Sequence, residues 1–226
     1  MIIIIVVATE KEISPLLNNL KLIEVLDRKL RKYTHNSLTI YILVTGIGMV
    51  ATAYECARVF GKYDFDLALN LGIAGTFNSK VNKGEVVEII SDVFSELGAQ
   101  DDDKFISLPE LGLMDENEFP FTNNKLININ KVKNPVIGLL QKVESITVNL
   151  VHGEKKSIEK TINQYNAQTE SMEGAAFFYS CFESKIPCIQ IRSISNFIEK
   201  RNRASWDIPL AVKNLNETAF AILNAF

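Results

Sequence analysis

Residues 1–12, M-I-I-I-I-V-V-A-T-E-K-E, run through six consecutive Ile and Val residues before turning charged. A strand with one wet face alternates apolar and polar side chains. An unbroken β-branched run instead fits a central strand covered on both faces, as in parallel sheets packed between helices. The run is too short to cross a bilayer and has no basic flank, so it does not read as a secretory leader. The expectation is a soluble, cytoplasmic protein with no membrane partner. If residues 2–7 form such a strand, the rest of the chain must supply helices for two faces.

Working outward, the same type of segment recurs. D-L-A-L-N-L-G-I-A-G-T (66–76), G-E-V-V-E-I-I-S-D-V (84–93) and P-C-I-Q-I-R-S-I-S-N (187–196) read as buried strands. Residues 29–35 and 38–45 read as a strand pair turning at His35-Asn36-Ser37, with shorter strands at 146–151 and 167–170. Helical patterns begin near Thr9, with a break at Pro15, and follow T-G-I-G (45–48). Others cover 135–142, the segment from about 155, 173–183 and the amphipathic 207–226. Residues 98–124, with D-D-D and two prolines, read as a polar excursion over the surface. No linker or repeat interrupts the chain, so residues 1–226 are expected to form one domain. Strands alternating with helices predict an α/β fold, a three-layer α/β/α sandwich around a mixed central sheet.

Composition excludes several functions. With 226 residues and 47% hydrophobic content, a sizeable core is available. A net charge of −3 with interspersed signs offers no basic footprint for nucleic acid. Cys56, Cys181 and Cys188 lie in apolar stretches without metal-type or paired spacing and read as reduced core thiols. Two histidines, His35 and His152, do not suggest a metal centre, and no cofactor is expected.

Ligands of α/β sheets gather beyond the carboxyl ends of strands. The residues there are Glu10 and Glu12, Gly46-Ile47-Gly48, Gly72-Ile73-Ala74-Gly75, His152-Gly153-Glu154, Met172-Glu173 and Ser195-Asn196. Gly46 to Ala51 fits G-x-G-x-x-A with Asp66 downstream, but Asp66 begins its strand where a ribose-binding acid should close one. A tight turn is the better reading. Arg192, inside an apolar strand, predicts a buried carboxylate partner, in a site or in a purely structural ion pair. Glu10 and Glu12 can equally serve a helix N-terminus, as can Glu170 and Glu173 with Ser171 as N-cap. The basic run 199–203 reads as a solvated loop.

Taken together, A-T-E-K-E-I (8–13), T-G-I-G-M-V-A-T-A (45–53), N-L-G-I-A-G-T (70–76), S-M-E-G-A-A (171–176) and I-R-S-I-S-N (191–196) resemble the methylthioadenosine/S-adenosylhomocysteine nucleosidases. These belong to the wider nucleoside phosphorylase/hydrolase family. The order and spacing of the segments, over nearly the whole chain, carry the resemblance. Residues 96–113, V-N-L-V-H-G (148–153) and 194–207 are similar to the futalosine hydrolase branch, which removes hypoxanthine from futalosine on a route to menaquinone.

The resemblance implies cleavage of an N-glycosidic bond through an oxocarbenium-like transition state. Glu12 would activate water, and Glu173 would hold the ribose hydroxyls with Met172 against the sugar. Arg192 would balance the acidic site. Ile47, Ile73, Ala74, Gly75 and Ser195 would line the substrate, and Arg201 or Arg203 would meet a carboxylate at its far end. A purine-nucleoside phosphorylase is disfavoured, because Glu10 and Glu12 would repel phosphate. Asn196 stands where adenine-specific relatives carry an aspartate, which tilts the implied base toward hypoxanthine. Ile73 replaces a serine of the family turn, and Lys156-Ser157 stands where relatives stack Phe-Ile on the base. A homodimer or larger homo-oligomer is implied as well.

Overall fold

The computed structural model describes residues 1–226. β1 (Ile2–Val7) passes through a 3-10 turn at Glu10–Glu12 into the four-residue α1 (Ser14–Leu17). β2 (Lys21–Val25), β3 (Leu30–His35), β4 (Leu38–Val44), α2 (Met49–Phe60) and β5 (Leu67–Thr76) follow. β6 (Val86–Asp92), the hairpin β7 (Gly98–Asp101) and β8 (Lys104–Ser107), β9 (Leu126–Ile127), α3 (Pro135–Leu139) and β10 (Gln141–Thr147) form the middle. The chain ends with α4 (Lys155–Tyr165), β11 (Thr169–Ser171), α5 (Gly174–Glu183), β12 (Cys188–Phe197), a 3-10 turn at Arg203–Ser205 and α6 (Ile208–Asn224).

Ten strands form one mixed sheet in the order β11-β10-β6-β12-β5-β1-β4-β3-β2, with β9 beside β6. β4, β1, β5 and β12 run parallel, so their carboxyl ends share one edge. β11 pairs with β10 and also, antiparallel, with β5. The strands β5, β12, β6, β10 and β11 therefore close into a ring, which leaves no free edge on that side.

β1 is covered on both faces, and its side chains from Ile3 to Val7 are 0% exposed. Ile4 and Val6 pack with Cys56 and Val59 of α2 and Phe177, Phe178 and Cys181 of α5. Ile3, Ile5 and Val7 meet Leu16, Ile137 and the α6 residues Leu215 and Ile222 on the opposite face. Burying each such side chain contributes about 1.5–3 kcal/mol. The three layers are thus set by the opening run. All three cysteines are buried free thiols, and burial pushes Cys56 and Cys181 up. No helix is long and apolar enough to cross a membrane.

Element boundaries differ in several places. The helix expected near Thr9 is a 3-10 turn plus one α-turn, because Pro15 lacks the N–H that a continuing helix needs. β10 runs from Gln141 to Thr147 rather than over 146–151, β11 covers Thr169–Ser171 rather than 167–170, and α3 ends at Leu139 rather than 142. β2, whose residues are all exposed, was not expected; it is an edge strand paired only with β3. Within 98–124, residues 98–107 form the β7–β8 hairpin.

Candidate active site

The parallel strand ends open on one cavity of about 590 Å³. Glu12, Ile47, Ile73, Ala74, Gly75, Met172, Glu173, Ser195, Asn196 and Arg203 all line it. Arg192 does not; it lies beneath, fully buried. Glu10 points away and pairs with Arg31 at 2.9 Å. Lys156 and Ser157 belong to the first turn of α4, and Val151 lines that side of the cavity instead. No three His, Cys, Asp or Glu side chains converge as a metal-binding group.

Two carboxylates stand at the end of the cavity nearest β1. Glu12 Oε2 accepts from the Thr9 N–H (3.0 Å) and hydroxyl (2.9 Å), the capping-box arrangement that fixes the 3-10 turn. Its Oε1 accepts from the Ile73 N–H at 3.2 Å, tying the turn to β5. Glu173 Oε1 accepts from Gly48 N–H at 2.9 Å, at the N-cap of α2. Gly48 has φ +95°, a conformation that glycine adopts without strain. Glu173 is also the N-cap residue of α5, so its negative charge meets the positive ends of two helices. Burial pushes the Glu173 carboxyl up; the Arg192 guanidinium and the Gly48 N–H favour its anion, and the Glu12 charge opposes it.

The floor departs from the sequence expectation. Arg192 makes its hydrogen bonds to amide oxygens rather than to a carboxylate: Nε donates to Gln190 Oε1 at 3.2 Å and Nη2 to Asn70 Oδ1. Each amide is locked by its own NH2 group. Asn70 Nδ2 donates to Val6 O (2.9 Å), and Gln190 Nε2 donates to Asp92 Oδ2 (3.1 Å). Glu173, Glu12 and Asp92 supply the compensating charge by proximity, while burial pulls the Arg192 pKa down. A Cβ at Gly72 would overlap Arg192 Nη1 and lie 3.3 Å from Glu12 Oε1, so only glycine lets these groups meet. The fully buried Asp92 also accepts from Thr147 Oγ1 at 2.9 Å, and burial pushes its carboxyl up to about 6.

The other end of the cavity is built on β12 and β11. A bulge between Ile194 and Asn196 leaves Ser195 as the extra residue, so Ser195 and Asn196 both face the cavity. Asn196 Nδ2 donates to Phe197 O (3.0 Å), a group that can only accept, and this turns Oδ1 toward the Ser195 hydroxyl (2.7 Å). Glu170 is 4% exposed. Its Oε1 accepts from the His152 N–H (3.0 Å), and its Oε2 bonds His152 Nδ1. His152 Nε2 meets Thr161 Oγ1 of α4 at 2.9 Å. The Glu170 partner raises the His152 pKa against the opposing effect of burial. Arg201 lies over the Trp206 ring at 5.3 Å, where the two close the cavity mouth with Arg203.

Sequence reasoning missed Asp92, Gln190 and Asn70, and assigned Glu170 and His152 no pair. Polar residues inside the apolar strands 66–76, 84–93 and 187–196 were the available signal for the first three. Trp206, adjacent to the basic run, was also passed over.

A family model described as the phosphorylase superfamily matches residues 2–226. The chain belongs to this superfamily. Within it, the chain is 27% identical to the 5′-methylthioadenosine/S-adenosylhomocysteine nucleosidase of Haemophilus ducreyi, over 93% of this chain and 91% of the relative. It is 29% identical to the futalosine hydrolase of Acidothermus cellulolyticus, over 84% of this chain and 77% of the relative. Among solved structures, the native futalosine hydrolase of Helicobacter pylori superposes with a TM-score of 0.80 at 16% identity, covering 100% of this chain and 98% of that one. Like its superfamily relatives, this chain has the mixed α/β fold around a central sheet.

Proposed function

We propose that the chain hydrolyses the N-glycosidic bond of futalosine, releasing hypoxanthine. The observation that carries this reading is the disposition of one cavity: two carboxylates at the β1 end, and an amide, Asn196, at the tip of β12. Glu12 takes a proton from water as the water oxygen bonds to the anomeric carbon. The carbon–nitrogen bond breaks with its electron pair passing to the purine, which takes a proton from solvent to leave as neutral hypoxanthine, while Glu12 returns its proton to solvent. Glu173 accepts hydrogen bonds from the ribose hydroxyls and stabilises the positive charge growing on the sugar, and preorganised electrostatics of this kind are commonly the largest contribution. Arg192 holds that pair of acids in balance from below. Asn196 has one N–H and one oxygen lone pair left for the base, and no acid to hand to N7. Losing that acid weakens adenine departure more than hypoxanthine departure. Arg203 at the mouth receives the carboxylate at the far end of futalosine.

Glu12 and Glu173 also oppose phosphate as the nucleophile, which favours hydrolysis over phosphorolysis. A second reading, methylthioadenosine/S-adenosylhomocysteine nucleosidase, draws support from the Haemophilus ducreyi relative, whose match covers more of this chain. Ile47, Val50 and Tyr54 are exposed beside the cavity on the α2 side, which supports a homo-oligomer in solution, to be read by analytical ultracentrifugation. The deciding experiment incubates the protein with futalosine, methylthioadenosine and inosine, with and without phosphate, and identifies the released base and sugar. Phosphate-independent release of hypoxanthine from futalosine is expected. Faster release of adenine, or a requirement for phosphate, would overturn the proposal.

A further inference from the structure

Glu12 ends the 3-10 turn after β1, and Leu16 lies in α1. In a continuous helix the Glu12 carbonyl would accept from the Leu16 N–H, the ordinary bond between residues four apart. Here the side-chain amide of Asn216, from α6, stands between the two. Its Nδ2 donates to Glu12 O at 2.8 Å, and its Oδ1 accepts from the Leu16 N–H at 2.9 Å. The second Nδ2 hydrogen goes to Val212 O, one turn back in α6, at 2.6 Å. Only this orientation of the amide serves one N–H and two carbonyls.

The local sequence cannot supply these bonds. Pro15 has no N–H to offer the Glu12 carbonyl. Ile13, at the N-cap of α1, has no side-chain oxygen for the Leu16 N–H. Asn216 is 4% exposed, and the adjacent Ile13, Leu16 and Leu215 belong to the apolar layer under α6. Without the amide, the Glu12 carbonyl and the Leu16 N–H are left to close on each other. That bond would extend α1 backwards and turn the Glu12 side chain.

The Glu12 carboxylate reaches the Thr9 and Ile73 N–H groups only while the turn keeps its present shape. At its start α6 is pinned as well, where the Asp207 N–H donates to Ser195 O at 2.8 Å. One helix thus holds both the turn of Glu12 and the bulge beside Asn196. We infer that Asn216 is a positioning residue for Glu12. Its amide replaces a helical hydrogen bond, keeps the 3-10 turn from running on into α1, and aims the carboxylate at the attacking water. This rests on the role given to Glu12 above and deepens it. A mere tether would affect stability alone, whereas a positioning residue affects turnover through Glu12.

The test compares wild type with two variants. Asn216→Leu keeps the size and loses all three bonds; Asn216→Asp keeps the acceptor for Leu16 and loses the donor. Melting temperatures establish folding, and Asn216→Asp carries the test if Asn216→Leu does not fold. In Asn216→Leu, kcat on futalosine is expected to fall roughly 10- to 100-fold with KM within about twofold, the usual cost of displacing a catalytic group by about 1 Å. Asn216→Asp should show a smaller loss of the same kind. Added to Glu12→Gln, Asn216→Leu should cost nothing more, because a residue that acts through another has no effect once that one is gone. Amide hydrogen exchange gives a readout independent of turnover. The Thr9 and Ile73 N–H groups should lose protection in Asn216→Leu, while the β1 ladder keeps its own. An unchanged kcat in a folded Asn216→Leu, an undiminished cost in the Glu12→Gln background, or wild-type protection at Thr9 and Ile73 would overturn the assignment. A wild type that cleaves no nucleoside would refute the hydrolytic reading; lost protection at Thr9 and Ile73 would then still support Asn216 as the residue that holds Glu12.

Discussion

Glu170 and Glu173 lie three residues apart in E-S-M-E, and both are nearly inaccessible to water, yet they are held differently. Glu170 sits in β11 against His152, whose backbone N–H donates to one of its oxygens and whose imidazole bonds the other. Glu173 begins α5, touches one backbone N–H across the cavity, and has no cation in direct contact. Its nearest positive charge, Arg192, is committed to two amides. The difference teaches what each group can do. A carboxylate already saturated on one side is a fixed template for a neutral donor, suited to selection. A carboxylate held loosely and pushed up by burial still has bonding capacity for ribose hydroxyls and for a developing cation, suited to catalysis.

Breaking the catalytic end should produce the largest effects. Glu12→Gln is expected to lower kcat by about 10³-fold, as removal of a general base does, while hypoxanthine binding measured by calorimetry stays near wild type. Glu173→Gln should cost about 10²–10³-fold in kcat/KM on every nucleoside alike. A shift in the inosine-to-adenosine ratio on that substitution would instead give Glu173 a part in base choice and remove the contrast with Glu170.

The pH dependence of stability sharpens the contrast from below the floor. Asp92 rises from 3.8 to about 6 on folding, so between those values the folded state binds more protons than the unfolded one. Stability therefore falls as pH rises through that window, by ~3 kcal/mol in all from this group. Urea denaturation at pH 4 and pH 7 should show this loss in wild type and not in Asp92→Asn. His152 has the same sign from a different cause, its folded pKa being raised by the Glu170 partner rather than by burial. Its contribution is complete below about 6.5 and is lost as pH rises through the higher folded value. His152→Gln should cost about 2 kcal/mol at pH 6 and less at pH 9. The smallest effect is expected at the rim, where Arg203→Glu should raise KM for futalosine several-fold and leave KM for inosine unchanged.

The layered fold was legible because the opening run needs cover on both faces and the glycine turns mark the ends of parallel strands. Glu12, Glu173 and Asn196 drew attention because they stand at or just beyond strand ends, but their roles came from the family resemblance, since the local pattern fitted helix termini equally well. The partners of Arg192 were not legible, because an isolated cation signals only that compensation exists. Here two neutral amides make the contacts and three carboxylates act at a distance. The Glu170–His152 pair depends on β11 closing the ring, a contact between strands that no local period announces. The exposed residues of β2 gave no buried face from which to predict a strand.

The bulge at Ser195 has a consequence for how base preference changes. Adjacent residues of a regular strand point to opposite faces, so a hydroxyl could not grip the amide of its next neighbour. The extra residue makes that grip possible and turns Ser195 into the setting screw of Asn196. Removing the hydroxyl, as in Ser195→Ala, would let the amide rock without touching either catalytic acid. Under the proposed function, base choice would then change through a one-atom change beside Asn196 that leaves Glu12 and Glu173 in place.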